Sequence, residues 1–126
     1  MLEFFSQPTR TQRWLGRGLL LIALVLVSYF VFSQPVGTRI SIPNLDKISH
    51  FGAFLGLASL LQLASGLRRR WQMVWLTAYA ALIEVVQYFL PYRSAEWLDL
   101  GADLAGALTF YLILLLVQQW PRRLPS

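Results

Sequence analysis

Ionisable side chains stand at the edges of, or inside, three long apolar stretches of this 126-residue sequence. Asp46 and His50 are four residues apart, and so are Asp99 and Asp103. Because residues spaced i and i+4 share one face of a helix, each pair directs two polar groups to the same side. Carboxylates with an imidazole could hold a divalent cation, transfer protons as acid and base, or position a polar headgroup.

Glu84 is the most unusual of these residues because it lies inside an apolar stretch, six residues before Leu90. At 1.5 Å per residue it would lie roughly 9 Å from that end of a helix. A charge at the centre of a bilayer costs at least about 2.5 to 3.5 kcal/mol, so Glu84 should face the interior, either paired or protonated. Gln87 is one turn nearer the end and can share its groove, and His50 and Arg93 are candidate partners.

Each of these residues also has an ordinary explanation. Asp99 could cap a helix or interact with its dipole. Asp46 and Lys47 could be interfacial charges. His50 alone could be a satisfied histidine at a helix end. An ion pair at Glu84 could serve packing alone.

Four apolar stretches must position these side chains. They cover about residues 15–33, 48–67, 71–90 and 100–120, each close to the ~20 residues that cross a bilayer. A segment in lipid must satisfy its own backbone hydrogen bonds, which favours helices, and no stretch alternates like a barrel strand. Charged residues are 13% of the chain and hydrophobic residues 56%, whereas soluble domains are about 25% charged. The sequence therefore predicts an all-α membrane protein, a bundle of four transmembrane helices.

The basic residues predict the orientation of this bundle. With the N-terminus in the cytoplasm, the outer loops hold only Arg39, Lys47 and Arg93, and the inner side holds eight arginines: Arg10, Arg13, Arg17, Arg68, Arg69, Arg70, Arg122 and Arg123. The positive-inside rule then places both termini in the cytoplasm and residues 35–47 and 91–97 outside. We expect a cytoplasmic segment over 1–14, a transmembrane domain over 15–120 and a cytoplasmic tail over 121–126.

The first apolar stretch permits another interpretation, a secretory signal peptide cleaved near residues 31–33, although it is long for that role and ends in bulky residues.

The net charge of +5 comes from short clusters without interleaved aromatics, so a nucleic-acid partner is not expected. The chain has no cysteine and one histidine, which excludes thiolate metal sites and leaves few ligands for a dedicated zinc site. We expect no other cofactor, with an oxygen-ligated divalent cation left open.

Small residues predict close helix packing. Gly52 and Gly56 form a small-xxx-small pair in the second stretch, and Ala102 and Gly106 form another in the fourth. Such pairs let two helix backbones approach closely, so we expect the second and fourth helices to be in contact. A homo-oligomer is left open by the same pattern.

Several of these residues resemble the motifs of a known family. Residues 46–51, Asp-Lys-Ile-Ser-His-Phe, resemble the D-K-x-x-H motif that opens the second helix of VanZ-like proteins. The groups 84–87 and 91–93, followed by Asp99 and Gly106, resemble that family's second signature, which reads E-x-x-Q, P-x-R and D-x-x-x-N-x-x-G. The resemblance spans about residues 43–117.

The resemblance implies a small multi-pass protein of the bacterial inner membrane that acts at the cell envelope. The founding member of the family is associated with low-level resistance to the glycopeptide teicoplanin. The chain departs from the family pattern at Asp103, where asparagine is usual. The extra carboxylate could strengthen a cation site or be held protonated.

Three functions remain open. In the first, the protein binds a polar lipid or lipid-linked precursor, and His50, Arg93 and Lys47 engage a phosphate. In the second, it is an intramembrane enzyme acting on a lipid headgroup, with Glu84 as base and His50 as acid or ligand. Glu84 with the Asp99 and Asp103 pair could then hold a metal. In the third, the bundle assists a partner protein without chemistry of its own.

Binding is favoured over catalysis because no serine or threonine nucleophile has an obvious base. The predicted topology brings the polar ends of three helices to one level. We therefore expect one outward-opening polar pocket in which His50 and Glu84 are separated by about one bridging water or ion. Its members are Asp46, Lys47, His50, Glu84, Gln87, Arg93, Asp99 and Asp103.

Overall fold

Four helices make up the regular structure of the part of the chain that the computed structural model describes. The described residues are 5, 7–33, 45–91 and 96–119, with only the backbone of 45 and 46. The helices are α1 (Arg10–Phe32), α2 (Leu45–Ala64), α3 (Arg69–Phe89) and α4 (Trp97–Gln119), and no strand occurs within those ranges. The prediction of an all-helical chain with four helices is confirmed.

Helix α1 begins five residues before the apolar stretch that predicted it, because its first turn is capped by polar side chains. The Thr9 hydroxyl accepts a hydrogen bond from the Gln12 backbone N–H, and the Gln12 side chain accepts one from the Thr9 N–H. This reciprocal arrangement satisfies two backbone donors that a helix start leaves open. It extends the helix through Arg10 and Arg13.

Contacts between helix ends show that consecutive helices run in opposite directions. Lys47, near the start of α2, contacts Asp99 near the start of α4, and Glu84, near the end of α3, bonds to the residue before α4. We call this the His50 end. At the opposite end, which we call the Arg69 end, Arg17 of α1 donates to the Ala64 carbonyl of α2, 3.1 Å away. There Arg69 of α3 also hydrogen-bonds the side chain of Gln118 in α4.

The core lies between α2, α3 and α4, and the contact of α2 with α4 is the most extensive. Its largest fully buried apolar side chains are Phe54 and Leu57 of α2, Ile83 of α3 and Leu114 of α4. The two helices approach so closely that a Cβ added at Gly106 would lie 2.1 Å from the Phe51 carbonyl oxygen. Only glycine fits there without moving a backbone.

The glycines of α2 do not take part in this approach. A Cβ at Gly52 or Gly56 would meet no heavy atom within 4 Å, so neither glycine lies at a helix contact. The expectation that these two glycines mediate packing against α4 is therefore wrong. The small-residue spacing is present in the sequence, but the face that carries it points away from α4. Ala102, the partner of Gly106 in the fourth stretch, is half-buried.

The outer surface of the helices is strongly apolar. Exposed side chains include Val25 and Phe30 of α1, Trp75 of α3 and Leu112 of α4. Two helices, α1 and α4, are long and apolar enough to cross a membrane, judged by length and composition over the described residues. Apart from Gly16, no residue of α1 is fully buried, so this helix lies on the outside of the other three.

Candidate functional site

A histidine and an aspartate pair inside the His50 end. Nδ1 of His50 on α2 lies 2.7 Å from Oδ1 of Asp103 on α4, and Nε2 of the same ring lies 3.9 Å from Oδ2 of Asp99. The Asp103 side chain is completely buried, and 10% of the His50 side chain is exposed. Because Asp99 and Asp103 are one turn apart on α4, both face the same imidazole.

Glu84 reaches this pair from α3. Its Oε2 accepts a hydrogen bond of 3.0 Å from the Glu96 backbone N–H, which ties the end of α3 to the start of α4. Glu84 is 8% exposed, so it faces the interior of the helix bundle rather than its outer surface. Its second oxygen, Oε1, is buried and has no hydrogen-bond partner among the described residues.

Three ligating groups therefore converge at one point. One ligand atom each from His50, Glu84 and Asp103 can be chosen so that all three lie within 4.8 Å of one another. The Oδ2 atom of Asp103, like Oε1 of Glu84, is buried without a hydrogen-bond partner in the described part of the chain. Buried polar atoms are nearly always paired, so two such oxygens in one cluster indicate a missing binding partner.

Lys47 neutralises the outer edge of this cluster. Its Nζ lies 3.0 Å from Oε2 of Glu96 and 3.7 Å from Oδ1 of Asp99. Glu96 was not among the expected site residues, since it precedes α4 in a loop where a solvent-exposed acid is ordinary. Its contacts with both Lys47 and Glu84 make it part of the site.

Gln87 occupies a separate position one turn along α3. Its Nε2 donates to the Val31 carbonyl of α1, 2.9 Å away, and its buried Oε1 has no hydrogen-bond partner within the described ranges. The amide therefore anchors the end of α1 to the His50 end. Two further expected site residues, Arg93 and the side chain of Asp46, lie outside the described residues.

Two clefts flank the cluster on opposite sides. One, of about 380 Å³, is lined by residues of α3 and α4 and by the residue before α4: Glu84, Val85, Tyr88, Phe89, Glu96 and Trp97. The other, of about 470 Å³, lies between α1 and α2 and includes His50. Each cleft has an apolar wall and reaches one of the polar groups of the cluster.

A second buried polar cluster lies at the Arg69 end and was not anticipated. Nε2 of Gln72 donates to Oε1 of Gln62 at 2.7 Å and to the Leu67 carbonyl at 2.9 Å. The Tyr111 hydroxyl donates to Oε1 of Gln72 at 2.7 Å. Gln62 in turn donates to the Phe5 carbonyl. Both amide hydrogens of Gln72 are used, so this cluster is satisfied internally and offers no open group to a ligand.

The charge balance distinguishes the two clusters. Among the described side chains, the His50 end holds four carboxylates (Glu84, Glu96, Asp99 and Asp103) against one lysine and one imidazole. Such a site attracts cations, and it repels a bare anion unless a cation accompanies it. The Arg69 end holds a neutral hydrogen-bond network. Among the described residues, the His50 end combines a cluster of carboxyl groups with two buried carboxylate oxygens that have no hydrogen-bond partner.

The sequence matches a known protein family. The family model described as VanZ/LLP1 matches residues 2–118, a span that contains all four helices and the whole polar cluster. No curated protein and no solved structure gives a significant match. Because the family model covers nearly the entire sequence, this chain belongs to the VanZ/LLP1 family.

Proposed function

We propose that this protein is a multi-pass protein of the bacterial inner membrane that binds the headgroup of a polar lipid or lipid-linked precursor at its His50 end. All four helices cross the bilayer in this proposal, and both termini face the cytoplasm. The arginine distribution supports that orientation, because the Arg69 end carries most of the basic residues. The outward-facing apolar side chains of the helices then lie in lipid.

The cleft between α3 and α4 is the observation that carries the proposal. Its lining combines two acidic residues, Glu84 and Glu96, with the apolar and aromatic residues Val85, Tyr88, Phe89 and Trp97. Tyr88 and Phe89 are each 74% exposed and Trp97 is 85% exposed. Aromatic side chains of this kind gather where a membrane meets water. A molecule with a polar head and apolar chains matches both surfaces.

These two acidic residues also limit which headgroups can bind in the cleft. They favour a headgroup that carries positive charge, either as an ammonium or as a divalent ion bound to phosphate. The charge of Lys47 is already partly balanced by Glu96 and Asp99, which lie 3.0 and 3.7 Å from its Nζ. A phosphate-bearing lipid with a cation therefore fits better than a free anion. The proposal extends to lipid-linked precursors of the cell envelope, and through them to glycopeptide (teicoplanin) resistance.

Mass spectrometry of co-purified lipids tests this proposal. The full chain is purified in mild detergent, and its lipids are compared with the lipids of the membrane from which it came. We expect the wild type to enrich one headgroup class and Glu84→Gln, which keeps the shape but removes the charge, to lose that enrichment. Thr109→Val is the control, because the Thr109 hydroxyl bonds only to the Ala105 carbonyl of its own helix. Wild-type lipids that match the bulk membrane would contradict the proposal.

The His50–Asp103 hydrogen bond favours a second candidate, an intramembrane enzyme that acts on the same headgroup. A histidine oriented by a carboxylate, with Glu84 close by, is an arrangement used for proton transfer. The same purified samples distinguish the two functions. Release of a headgroup from phosphate-bearing lipid by the wild type and not by Glu84→Gln would support the enzyme. If lipid is neither enriched nor changed, the structural role of a helper bundle remains.

A further inference from the structure

Two buried carboxylate oxygens at the His50 end lack hydrogen bonds. Oε1 of Glu84 and Oδ2 of Asp103 are both buried and lack partners among the described residues. Both residues are more than nine-tenths buried. An unpaired carboxylate oxygen in such a place costs free energy, which a bound cation or a proton would recover.

His50 and Asp103 face each other between α2 and α4. Nδ1 of His50 lies 2.7 Å from Oδ1 of Asp103, and which atom carries the hydrogen depends on the protonation of the pair. A metal ion bound by both atoms would replace that hydrogen. Imidazole nitrogen and carboxylate oxygen are both common ligands of divalent transition metals.

The distances bring three ligand atoms close to one another. One ligand atom each from His50, Glu84 and Asp103 can be chosen so that all three lie within 4.8 Å of one another. Metal–ligand bonds of about 2.0 to 2.2 Å hold the ligands of one ion roughly 3 to 4 Å apart. Binding of an ion would therefore draw the three side chains closer together.

The charge of the cluster points to a divalent ion. Lys47 is engaged by Glu96 and Asp99 at the outer edge. Within the described residues, no lysine or arginine forms an ion pair with Glu84 or Asp103. The two carboxyl groups at the centre therefore lack a cationic partner of this kind, and a divalent ion would balance both of them in their ionised form.

We infer that His50, Glu84 and Asp103 form a binding site for a divalent metal cation, with Asp99 beside it. The mixed nitrogen and oxygen ligands suit Mn²⁺ or Zn²⁺ better than Mg²⁺, which prefers oxygen alone. Three protein ligands leave coordination positions for water or for a ligand oxygen. Because Glu84 also lines the cleft between α3 and α4, those positions lie beside that cleft. The inference does not depend on lipid binding.

Metal content tests the inference directly. The full chain in detergent is stripped with a chelator and dialysed against Mn²⁺, and separately against Zn²⁺ and Mg²⁺, with no lipid added. Bound metal is measured by inductively coupled plasma mass spectrometry, and Mn²⁺ coordination by electron paramagnetic resonance. We expect one Mn²⁺ or Zn²⁺ per chain and weaker binding of Mg²⁺. In Glu84→Gln and Asp103→Asn, which preserve side-chain shape, affinity should fall by about tenfold or more.

Two control variants distinguish binding at the three proposed ligands from binding that follows the total negative charge. Glu3→Gln removes one negative charge at a residue outside the proposed ligands, so it should keep the metal. Thr109→Val should behave as the wild type. The inference is wrong if the wild type takes up no metal, or if Glu84→Gln and Asp103→Asn bind as much as the wild type. Equal loss in Glu3→Gln would also overturn it, since binding would then follow total negative charge. Metal uptake without lipid enrichment would leave this site standing while the lipid proposal fails.

Discussion

A single amide connects three helices at the Arg69 end. The Gln72 side chain of α3 is completely buried, yet it bonds to Gln62 of α2, to Tyr111 of α4 and to the Leu67 carbonyl between α2 and α3. The amide therefore links α2, α3 and α4 through hydrogen bonds at this end.

Replacing Gln72 with leucine should destabilise the fold. The change leaves the Tyr111 hydroxyl and the Gln62 amide without this partner, and a buried unpaired polar group costs about 1–3 kcal/mol. Tyr111→Phe removes one hydrogen bond and leaves Gln72 paired with Gln62, so its cost should be nearer ~0.6 kcal/mol, as for interhelical bonds in membranes. Unfolding in detergent with increasing dodecyl sulfate measures both. A Gln72→Leu protein as stable as the wild type would show that the network contributes little.

Sequence reasoning singled out charged residues more readily than neutral ones. Glu84 and His50 stood out because a charged or titratable group inside an apolar stretch is expensive and needs an explanation. Gln62 and Gln72 did not, because a neutral amide in such a stretch costs less and its partner cannot be read from spacing. Glu96 was missed for another reason. It precedes α4, and its hydrogen bond with Glu84 of α3 depends on the tertiary structure, which spacing in the sequence does not indicate.

At the scale of the helices, the approach of α2 to α4 depends on one glycine. A Cβ at Gly106 would collide with the backbone of Phe51, whereas a Cβ at Gly101 in the same helix would meet nothing within 4 Å. The spacing of small residues in the sequence indicated that α2 and α4 meet. It could not indicate which face of α2 is used, because Gly52 and Gly56 carry the same pattern at positions where an added Cβ would meet nothing within 4 Å.

Gly106→Ala should therefore lower stability, and Gly101→Ala should not. The first substitution forces two helix backbones apart, and overpacking of this kind costs about 1–3 kcal/mol. The second adds a methyl group in open space, where alanine is up to about 1 kcal/mol better than glycine in a helix. Thermal unfolding of the two purified variants in the same detergent provides the comparison. Equal midpoints would mean that α2 moves away from α4 without cost.

At the scale of the whole molecule, the orientation in the membrane is tested by reporter fusions. The proposed topology predicts that a reporter fused at Arg69 stays in the cytoplasm and that one fused at Tyr92 reaches the periplasm. The reason is the excess of arginine on the inner side. A phosphatase and a fluorescent reporter, active on opposite sides of the membrane, measure the two positions independently. Periplasmic phosphatase activity from the Arg69 fusion would overturn the topology.

Hydropathy alone predicts the number of helices, but the partners of each helix depend on side-chain packing. Each predicted stretch corresponds to one helix, because about twenty apolar residues in succession favour that structure. The partners of each helix depend on side-chain shape. Helix α1 is as apolar as α4, yet only its Gly16 is buried, against Leu63 of α2. Nothing in the composition of α1 indicates this outer position.

The two polar clusters differ in what a substitution changes. At the Arg69 end, the hydrogen-bond donors of Gln72 are used within the protein, so substitutions there act first on folding. At the His50 end, Glu84 and Asp103 each join two elements through one carboxylate oxygen and leave the other oxygen without a hydrogen bond within the described residues. A substitution there therefore acts on ligand binding and on folding together. Sequences with this fold can vary the Arg69 end through stability alone, whereas a change of ligand preference at the His50 end also changes stability.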